Sequence, residues 1–269
     1  GVTVQAPGGT TGTGSLSATW RRFGVNGTTT AGGQYQLEQL RRTDATGAVL
    51  LPGTASLNGA SARFTVNEFN TRVVTIGGFL EQRFDVADRF FVTGGLRADD
   101  ASVFGNQSGG WVYYPFVNTS YVVSEEDWFP KADWLSSLRV RGAFGRSSQR
   151  PGFRQAQTFF DRQSVNLASA VDNQPAATVG GPVGNAELRP EITSEWEGGT
   201  ELALFSNRVT FDVTGYRRST RDMLVSRDLA PSLGVANNQF VNLSQMSTRG
   251  LEASVTAQIL QLRNFAFNQ

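Results

Sequence analysis

Residues 191–218 read EITSEWEGGTELALFSNRVTFDVTGYRR, and this stretch decides the fold. Apolar or small side chains occupy every second position, as expected for strands with one apolar face and one polar face. A tight turn at Ser206 and Asn207 divides the stretch into two halves of about ten residues, the length that a tilted strand needs to cross a bilayer. The stretch therefore predicts a membrane-crossing β-hairpin. The alternating positions are Trp196, Gly198, Thr200, Leu202 and Leu204, followed by Val209, Phe211, Val213 and Gly215.

The same alternation recurs along the rest of the chain in segments of similar length. Strong examples are residues 74–84, 92–98, 138–144 and 251–259, and weaker ones are 16–23, 117–123 and 265–267. Glycines within these segments disfavour helices. The pattern predicts an all-β protein, an antiparallel transmembrane β-barrel of which about nine meander strands are present. A closed bacterial barrel has an even number of strands, so we expect a partial barrel with two open edges.

The connections between the predicted strands alternate between short and long. Residues 85–89, 206–208 and 261–264 are short, whereas 26–69, 147–191 and 226–243 are long. An antiparallel meander places successive connections at opposite ends, so this order predicts short periplasmic turns and long extracellular loops. Residues 125–135 form an intermediate connection at the periplasmic end, where Trp128 and Trp134 suit an interfacial aromatic girdle. The glycine-rich residues 8–14 lack a P-loop ending and are predicted to form a polar turn.

Composition excludes several functional classes. The 269 residues contain no histidine and no cysteine, which excludes histidine-dependent catalytic triads, thiol chemistry and His/Cys zinc sites. The net charge of +1, without a basic block, gives no footprint for nucleic acid. No apolar run is long enough for a transmembrane helix, and no signal peptide is recognisable at residue 1. We expect no enzymatic activity, no cofactor and no metal site.

Several ordered motifs resemble the SusC/RagA-type TonB-linked outer-membrane transporters. They cover most of residues 70–260 and occur in the order found in that family. The motifs are LRADDASVFG at 96–105, GWVYYPF at 110–116, SEEDWF at 124–129, LSSLRVRGAFG at 135–145, NAELRPE at 185–191, FSNR at 205–208 and RGLE at 249–252.

The resemblance implies a function and a domain organisation. Residues 1–269 are expected to be a fragment of a TonB-dependent receptor β-barrel domain, best matched over 70–260, with the family's N-terminal plug absent. The whole protein would lie in the outer membrane and import a large nutrient such as an oligosaccharide or oligopeptide. Its expected partners are outer-membrane lipids, TonB acting through the missing plug, a SusD-like surface lipoprotein, and the glycan or peptide substrate.

Charged and aromatic residues at the lumen and the loops are candidates for substrate contact. Glu195, Glu197 and Glu201 share one strand face, and we interpret them as lumenal carboxylates balanced by arginines on a nearby strand. The aromatic and arginine side chains of the 147–191 loop could hold a substrate or equally form the loop's own small core. The complete set of candidates is Arg97, Asp99, Trp111, Arg139, Arg141, Phe153, Arg154, Phe159, Phe160, Glu195 and Glu197.

Three alternatives stay open at the level of sequence. A siderophore or cobalamin receptor would share the TonB-dependent barrel. A porin or adhesin barrel would have no plug and no energy coupling, which an upstream plug-coding sequence would exclude. A secreted carbohydrate-binding β-sandwich would be a monomer in buffer without detergent, and recovery only from the outer membrane would reject it.

Overall fold

The computed structural model describes residues 2–53, 56–57, 60–104, 110–159, 162–164, 175–177, 183–230, 232, 238–262 and 265–268. Ten of its strands form one antiparallel sheet in the order β1-β2-β3-β4-β5-β6-β9-β10-β11-β12, and β7 pairs with β8 in a separate ribbon. Their bounds are β1 Val2–Arg22, β2 Val25–Leu50, β3 Ala60–Val86, β4 Phe90–Ala101, β5 Val112–Val122, β6 Leu135–Gln149, β7 Arg162–Ser164, β8 Pro175–Ala177, β9 Glu191–Leu204, β10 Val209–Asp228, β11 Asn238–Leu262 and β12 Phe265–Asn268.

This architecture confirms the predicted all-β antiparallel meander. Each strand of the large sheet pairs with its neighbour in sequence, except that β6 pairs with β9 across the 150–190 connection. Among the described residues, no helix is long and apolar enough to cross a membrane. A short 3-10 helix, Val123–Glu125, leads into the predicted periplasmic connection.

The alternation of short and long connections is present, but several predicted lengths are wrong. Residues 26–69 are not a loop, because β2 and the first half of β3 occupy most of them. The 226–243 connection is also shorter than predicted, since β10 continues to Asp228 and β11 begins at Asn238. Residues 8–14 lie within β1 and not in a turn. The sheet has ten strands, in keeping with the prediction of about nine meander strands.

The physical reason for these errors is weak contrast between the two faces of β1 and β2. Residues 28–34 read TTTAGGQ, in which threonine, alanine and glycine occupy both faces, so hydropathy alternation is nearly absent. The backbone pairs regardless of side-chain contrast, and β2 is hydrogen-bonded on both sides, by β1 and by β3. Backbone pairing with two neighbouring strands thus stabilises β2 as a strand, although the hydropathy pattern of β2 does not indicate one.

The register separates an apolar face from a polar face across the sheet. Val140 on β6, Thr200 on β9, Val213 on β10 and Ala253 on β11 are in register and share the apolar face. The next row, one residue along each strand, belongs to the polar face and includes Arg141. Large apolar side chains are left exposed on the apolar face, including Leu80 at 55% and Leu251 at 74%. Such a face suits contact with lipid.

A contact at the extracellular end identifies the polar face as the concave one. Arg150, which follows β6, donates hydrogen bonds to Thr75 on β3 (Nη1 to Oγ1, 3.0 Å) and to Glu38 on β2. Strands β4 and β5 lie between β6 and β3 in the sheet. A side chain bridges that gap only where the sheet curves toward it. The polar face is therefore the inner face, and the apolar face is the outer face.

Strands β1, β2 and β3 extend beyond the rest of the sheet at the extracellular end. Residues 60–74 of β3 pair with β2 alone among the described strands, because β4 ends opposite Thr75. Asp44 on β2 lies 19 residues from the turn-side end of the strand at Val25, a rise of ~45 Å at a tilt near 45°. That is well above an apolar band about 25 Å tall, so this extension stands in water.

Candidate functional site

Small residues on the inner face of β5, β6 and β9 leave a groove in the wall, which we call the inner-face groove. It consists of two adjoining cavities of about 300 and 210 Å³ that share Asn118, Ala143 and Glu197 among their lining residues. Gly145 lines the first cavity, and Gly199 lines the second. The groove is therefore a product of side chains too small to fill the inner face.

Gly199 allows an ion pair to form across a strand. Arg141 on β6 is in register with Gly199 on β9, and its guanidinium passes over this glycine to reach β10. There Nη1 and Nη2 donate to the two carboxylate oxygens of Asp212 at 2.8 and 2.7 Å, and Nη2 donates to Thr214 Oγ1 at 2.6 Å. A Cβ at residue 199 would lie 3.0 Å from Arg141 Nε and 2.9 Å from Thr214 Oγ1. The bidentate bridge thus depends on the missing side chain.

Two other ion pairs join neighbouring strands around the groove. Arg139 donates to Glu201 at 3.4 Å, and Arg218 donates to both oxygens of Glu195 at 2.9 and 3.1 Å. The predicted balance of the β9 carboxylates by β6 arginines is confirmed for the ion pair of Arg139 with Glu201. Arg141 interacts electrostatically with Glu201 and Glu197, although its own ion pair is with Asp212 on β10. Glu195 is paired with Arg218 on β10 and not with a β6 arginine. The spacing of residues in the sequence does not show that the Arg141 side chain passes over Gly199 to reach the next strand.

Glu197 differs from the other carboxylates of the groove. Within the described residues its side chain has no hydrogen bond and no ion pair, and it interacts with Arg141 through longer-range electrostatics. It is exposed in the shared part of the two cavities. An exposed carboxylate between neutralised neighbours can accept hydrogen bonds from hydroxyl, amide or ammonium groups of a solute.

A second polar cluster lies on the inner face nearer the extracellular end. Arg97 bonds Asp99 on its own strand at 2.8 Å and Gln34 on β2 at 2.7 Å. Gly77 is on β3, which lies between β2 and β4 in the sheet, and a Cβ on this glycine would lie 2.0 Å from Asp99 Oδ1. Trp111 is 44% exposed and immediately precedes Val112, the β5 residue that is in register with Asp99. The structure brings Arg97 and Asp99 together, and their role in substrate contact stays a prediction.

The first part of the long loop folds back toward β3 and β4. Arg154 stacks between two rings, 5.2 Å from the centroid of Phe153 and 4.2 Å from that of Phe159. These side chains surround a small cavity of about 50 Å³ together with Arg72 and Val103. The arrangement packs the loop on itself, although Phe153 is still 37% exposed. Phe160, another predicted contact, lies outside the described residues.

The returning part of the loop is held by Asn242, which sequence reasoning missed. The Asn242 side chain donates to the carbonyl groups of Arg189 and Asp222 at 2.8 and 2.7 Å and accepts from Arg189 N at 2.9 Å. Leu188 beside it is fully buried. The NAELRPE motif was recognised in the sequence, but Asn242 lies 53 residues from Arg189, and this separation conceals that the two are in contact.

Charge on the extracellular extension is paired as well. Arg42 lies beside Asp44 at 2.8 Å, and Thr3 Oγ1 donates to the same carboxylate at 2.8 Å. The hydrogen bond from Arg42, followed by the smaller contribution of Thr3, lowers the pKa of the Asp44 carboxyl. The hydrogen bond from Thr3 to Asp44 ties the start of β1 to β2 above the membrane.

These observations define a class of protein. An antiparallel sheet with an exposed apolar outer face, a charged concave face and turns that alternate with long loops is the wall of an outer-membrane β-barrel. The family described as "TonB dependent receptor-like, beta-barrel" matches residues 3–269, and the chain belongs to this family of TonB-dependent receptors. The protein is accordingly an outer-membrane protein, and its family is one of receptors and transporters.

Curated relatives agree with this assignment. The chain is 23% identical over 217 residues to TonB-dependent receptor P39 of Formosa agariphila, covering 79% of this chain and 19% of that protein. It is 22% identical over 209 residues to TonB-dependent receptor SusC of Bacteroides thetaiotaomicron, covering 74% of this chain and 20% of SusC. The chain thus spans about a fifth of the length of these relatives.

Solved structures share the fold. The RagAB peptide transporter matches 99% of this chain with a TM-score of 0.81 at 17% identity, and the match covers 29% of that chain. The siderophore receptor PirA from Pseudomonas aeruginosa matches 98% of this chain with a TM-score of 0.62 at 16% identity, covering 42% of that chain. Identities this low support a common architecture and not a common substrate.

Proposed function

We propose that the protein imports a large polar nutrient, an oligosaccharide or an oligopeptide, along the inner face of its barrel. The observation that carries this proposal is the inner-face groove, on whose surface Glu197 has no hydrogen bond or ion pair among the described residues. The groove is lined by polar side chains, and the charges of several of them are neutralised by ion pairs. Such a lining offers hydrogen bonds to a hydrated solute without binding it through a large net charge. The exposed Glu197 carboxylate gives such a solute one fixed point of attachment.

The comparisons support a large substrate and an energised step. The relatives include SusC, and the similar structures include the RagAB peptide transporter. Family membership supports the participation of TonB in the whole protein. We further propose that TonB acts through a plug segment outside this chain and that a SusD-like surface lipoprotein covers the extracellular end. Co-purification of a surface lipoprotein with the full-length protein in mild detergent is the expected result.

Uptake in intact cells tests the proposal. Cells that depend on the full-length protein should take up labelled oligopeptides or oligosaccharides, and dissipating the proton-motive force should stop this uptake. Replacing Glu197 with Gln should weaken uptake by roughly 3–10-fold at low substrate concentration, as expected for about 1 kcal/mol of lost hydrogen bonding. Asp88→Asn is the matched control, because it removes one exposed negative charge in the β3–β4 turn. Equal uptake by both variants would argue against a role for the groove.

A siderophore receptor is the second candidate, favoured by the likeness to PirA. It predicts that deletion of the protein impairs growth under iron limitation and leaves growth on peptides or glycans unchanged. The opposite pattern of growth supports the nutrient importer. Both outcomes can be read from the same deletion strain on defined media.

We also propose that these residues are one part of a longer barrel. The chain covers about a fifth of its curated relatives, and β1 and β12 form the edges of the described sheet. Edge strands expose unpaired backbone groups, which a membrane interior does not tolerate. An antibody against this chain should therefore detect a band several times larger than 29.1 kDa in outer membranes. A band at the size of the chain itself would reject the proposal.

A further inference from the structure

The outer face of β6, β9, β10 and β11 carries charge of one sign only. Over the paired residues 138–148, 192–204, 209–221 and 247–259, the register assigns every second residue to this face. No acidic residue occupies any of these outer positions, and every charged one is an arginine. We call them the outer-face arginine cluster: Arg146, Arg217, Arg221 and Arg249.

The cluster lies at the upper edge of the apolar surface. On β11 the outer positions from Ile259 to Leu251 are uninterrupted apolar residues, and Arg249 is the next outer position toward the extracellular end. On β10, Arg217 lies eight residues above Val209, a rise of ~19 Å at a tilt near 45°. On both strands the arginines therefore come directly above an uninterrupted run of apolar or small outer positions.

An aromatic pair in the same row as Arg217 and Arg249 supports the placement of these arginines at the upper edge of the apolar surface. Trp196 is in register with Phe144 on one side and with Arg217 on the other. Its ring centroid is 4.4 Å from that of Phe144, and the residue is 61% exposed. Exposed tryptophan on a barrel marks the interface between acyl chains and headgroups. The row Phe144, Trp196, Arg217, Arg249 thus lies at headgroup level.

The cations of this cluster are not neutralised by the described protein. Arg217 and Arg249 face each other directly across β10 and β11, a like-charge arrangement that destabilises a sheet. Neither has a hydrogen bond or an ion pair within the described residues. Arg146 Nε is buried and has no hydrogen-bond partner among the described residues. On the inner face, by contrast, Arg139, Arg141 and Arg218 all form ion pairs with carboxylates. The outer-face arginines therefore indicate an anion that comes from outside the protein.

We propose that the outer-face arginine cluster binds the phosphate group of an outer-leaflet lipid. Guanidinium groups bind phosphate oxygens through paired hydrogen bonds, and one phosphate between Arg217 and Arg249 converts repulsion into attraction. The acyl chains of the same lipid would lie on Leu251, Val255 and Val213 directly below, which are 74%, 57% and 40% exposed. A free anion would use the arginines alone, whereas a lipid uses both surfaces. The inference depends on the outer-membrane location and not on the identity of the imported nutrient.

Lipid binding to the full-length protein tests the proposal. The protein is placed in phosphatidylcholine nanodiscs with increasing amounts of diphosphorylated lipid A, and bound lipid A is counted by native mass spectrometry. The double variant Arg217→Gln/Arg249→Gln should bind lipid A about 25-fold more weakly, about fivefold for each arginine removed. The control Arg22→Gln/Arg208→Gln removes two arginines at the opposite end of the sheet and should change binding less than twofold. Equal weakening in both double variants, or in neither, overturns the proposal.

Two further arms separate a lipid from a free anion and from misfolding. Fully dephosphorylated lipid A should bind the wild type as weakly as diphosphorylated lipid A binds the double variant. Displacement of lipid A by millimolar inorganic phosphate would show a simple anion site and overturn the lipid assignment. The single variant Arg249→Gln relieves the like-charge contact, so it should unfold at higher denaturant than the wild type in phosphatidylcholine alone. Diphosphorylated lipid A should stabilise the wild type more than this variant, and equal stabilisation of both contradicts the proposal.

Discussion

Two adjacent glycines on β9 allow a sharp test of how the inner face is built. A Cβ on Gly198 would meet nothing within 4 Å, whereas a Cβ on Gly199 would lie 2.9 Å from the carbonyl oxygen of Val213 and 3.0 Å from Arg141 Nε. The two residues share a strand and have opposite faces. Gly198→Ala and Gly199→Ala therefore make the same chemical change with different amounts of space around it.

The expected magnitudes follow from these contacts. Either substitution removes conformational freedom from the unfolded chain, which favours folding by ~0.4–1 kcal/mol where the new side chain fits. At Gly199 the crowding costs ~1–3 kcal/mol, because a backbone oxygen must move. Displacing Arg141 from Asp212 costs about 1 kcal/mol more, a value reduced for side chains that are 38% and 36% exposed. Gly199→Ala should thus be less stable than Gly198→Ala by ~2–4 kcal/mol.

Denaturant unfolding of the full-length protein in lipid vesicles measures this difference. Tryptophan fluorescence follows the transition, and equal slopes for both variants show that the same structure unfolds. In an Arg141→Ala background the cost of Gly199→Ala should fall by about 1 kcal/mol, since the ion pair is already lost. Equal unfolding free energies for the two alanine variants would refute the close approach of Arg141 over Gly199.

Three further substitutions probe the extracellular side. Asn242→Ala should destabilise the protein by ~1–3 kcal/mol, because two backbone carbonyl groups lose their donor, and urea unfolding measures the loss. Arg150→Gln should change the free energy of unfolding by less than about 1 kcal/mol, since the bridge from Arg150 to Glu38 is partly exposed. The same substitution should accelerate hydrogen exchange in residues 150–159, because it releases the start of the long loop. Unchanged exchange would contradict the role of Arg150 as an anchor. The lowered pKa of Asp44 means that its pairing with Arg42 favours the folded state above the unfolded pKa of about 3.9, and this contribution is lost as pH falls through the folded value. Hydrogen exchange at residues 3–6 should therefore rise, relative to intrinsic rates, between pH 5 and pH 2, and Asp44→Asn should remove that dependence.

Strand existence was predictable from sequence wherever the two faces differ in polarity. Residues 209–217 alternate strongly, and the predicted faces of Val213 and Asp212 are those observed. In residues 28–34 both faces carry small or polar side chains, so β2 was missed. A strand of that kind is held by backbone pairing with two neighbours, and no local pattern records it.

The candidate site was predictable in composition but not in connectivity. The charged residues expected on the inner face do lie there, and Arg139 pairs with Glu201 as expected. The partners of Arg141 and Glu195 could not be foreseen, because each depends on the register of β10 against β9. Glu197 gains its interest from having no partner among the described residues, a property visible only after the other pairs have formed.

The sequence by itself determined the all-β class, the period-two faces and the alternation of turns with loops, since these follow from local side-chain order. The tertiary structure decided which cations meet which anions. It also decided where glycines leave space on the inner face and which four arginines form the outer-face arginine cluster. These features depend on register between strands up to dozens of residues apart. A shift of one residue would move every side chain to the opposite face, so register is the quantity that local sequence order leaves open.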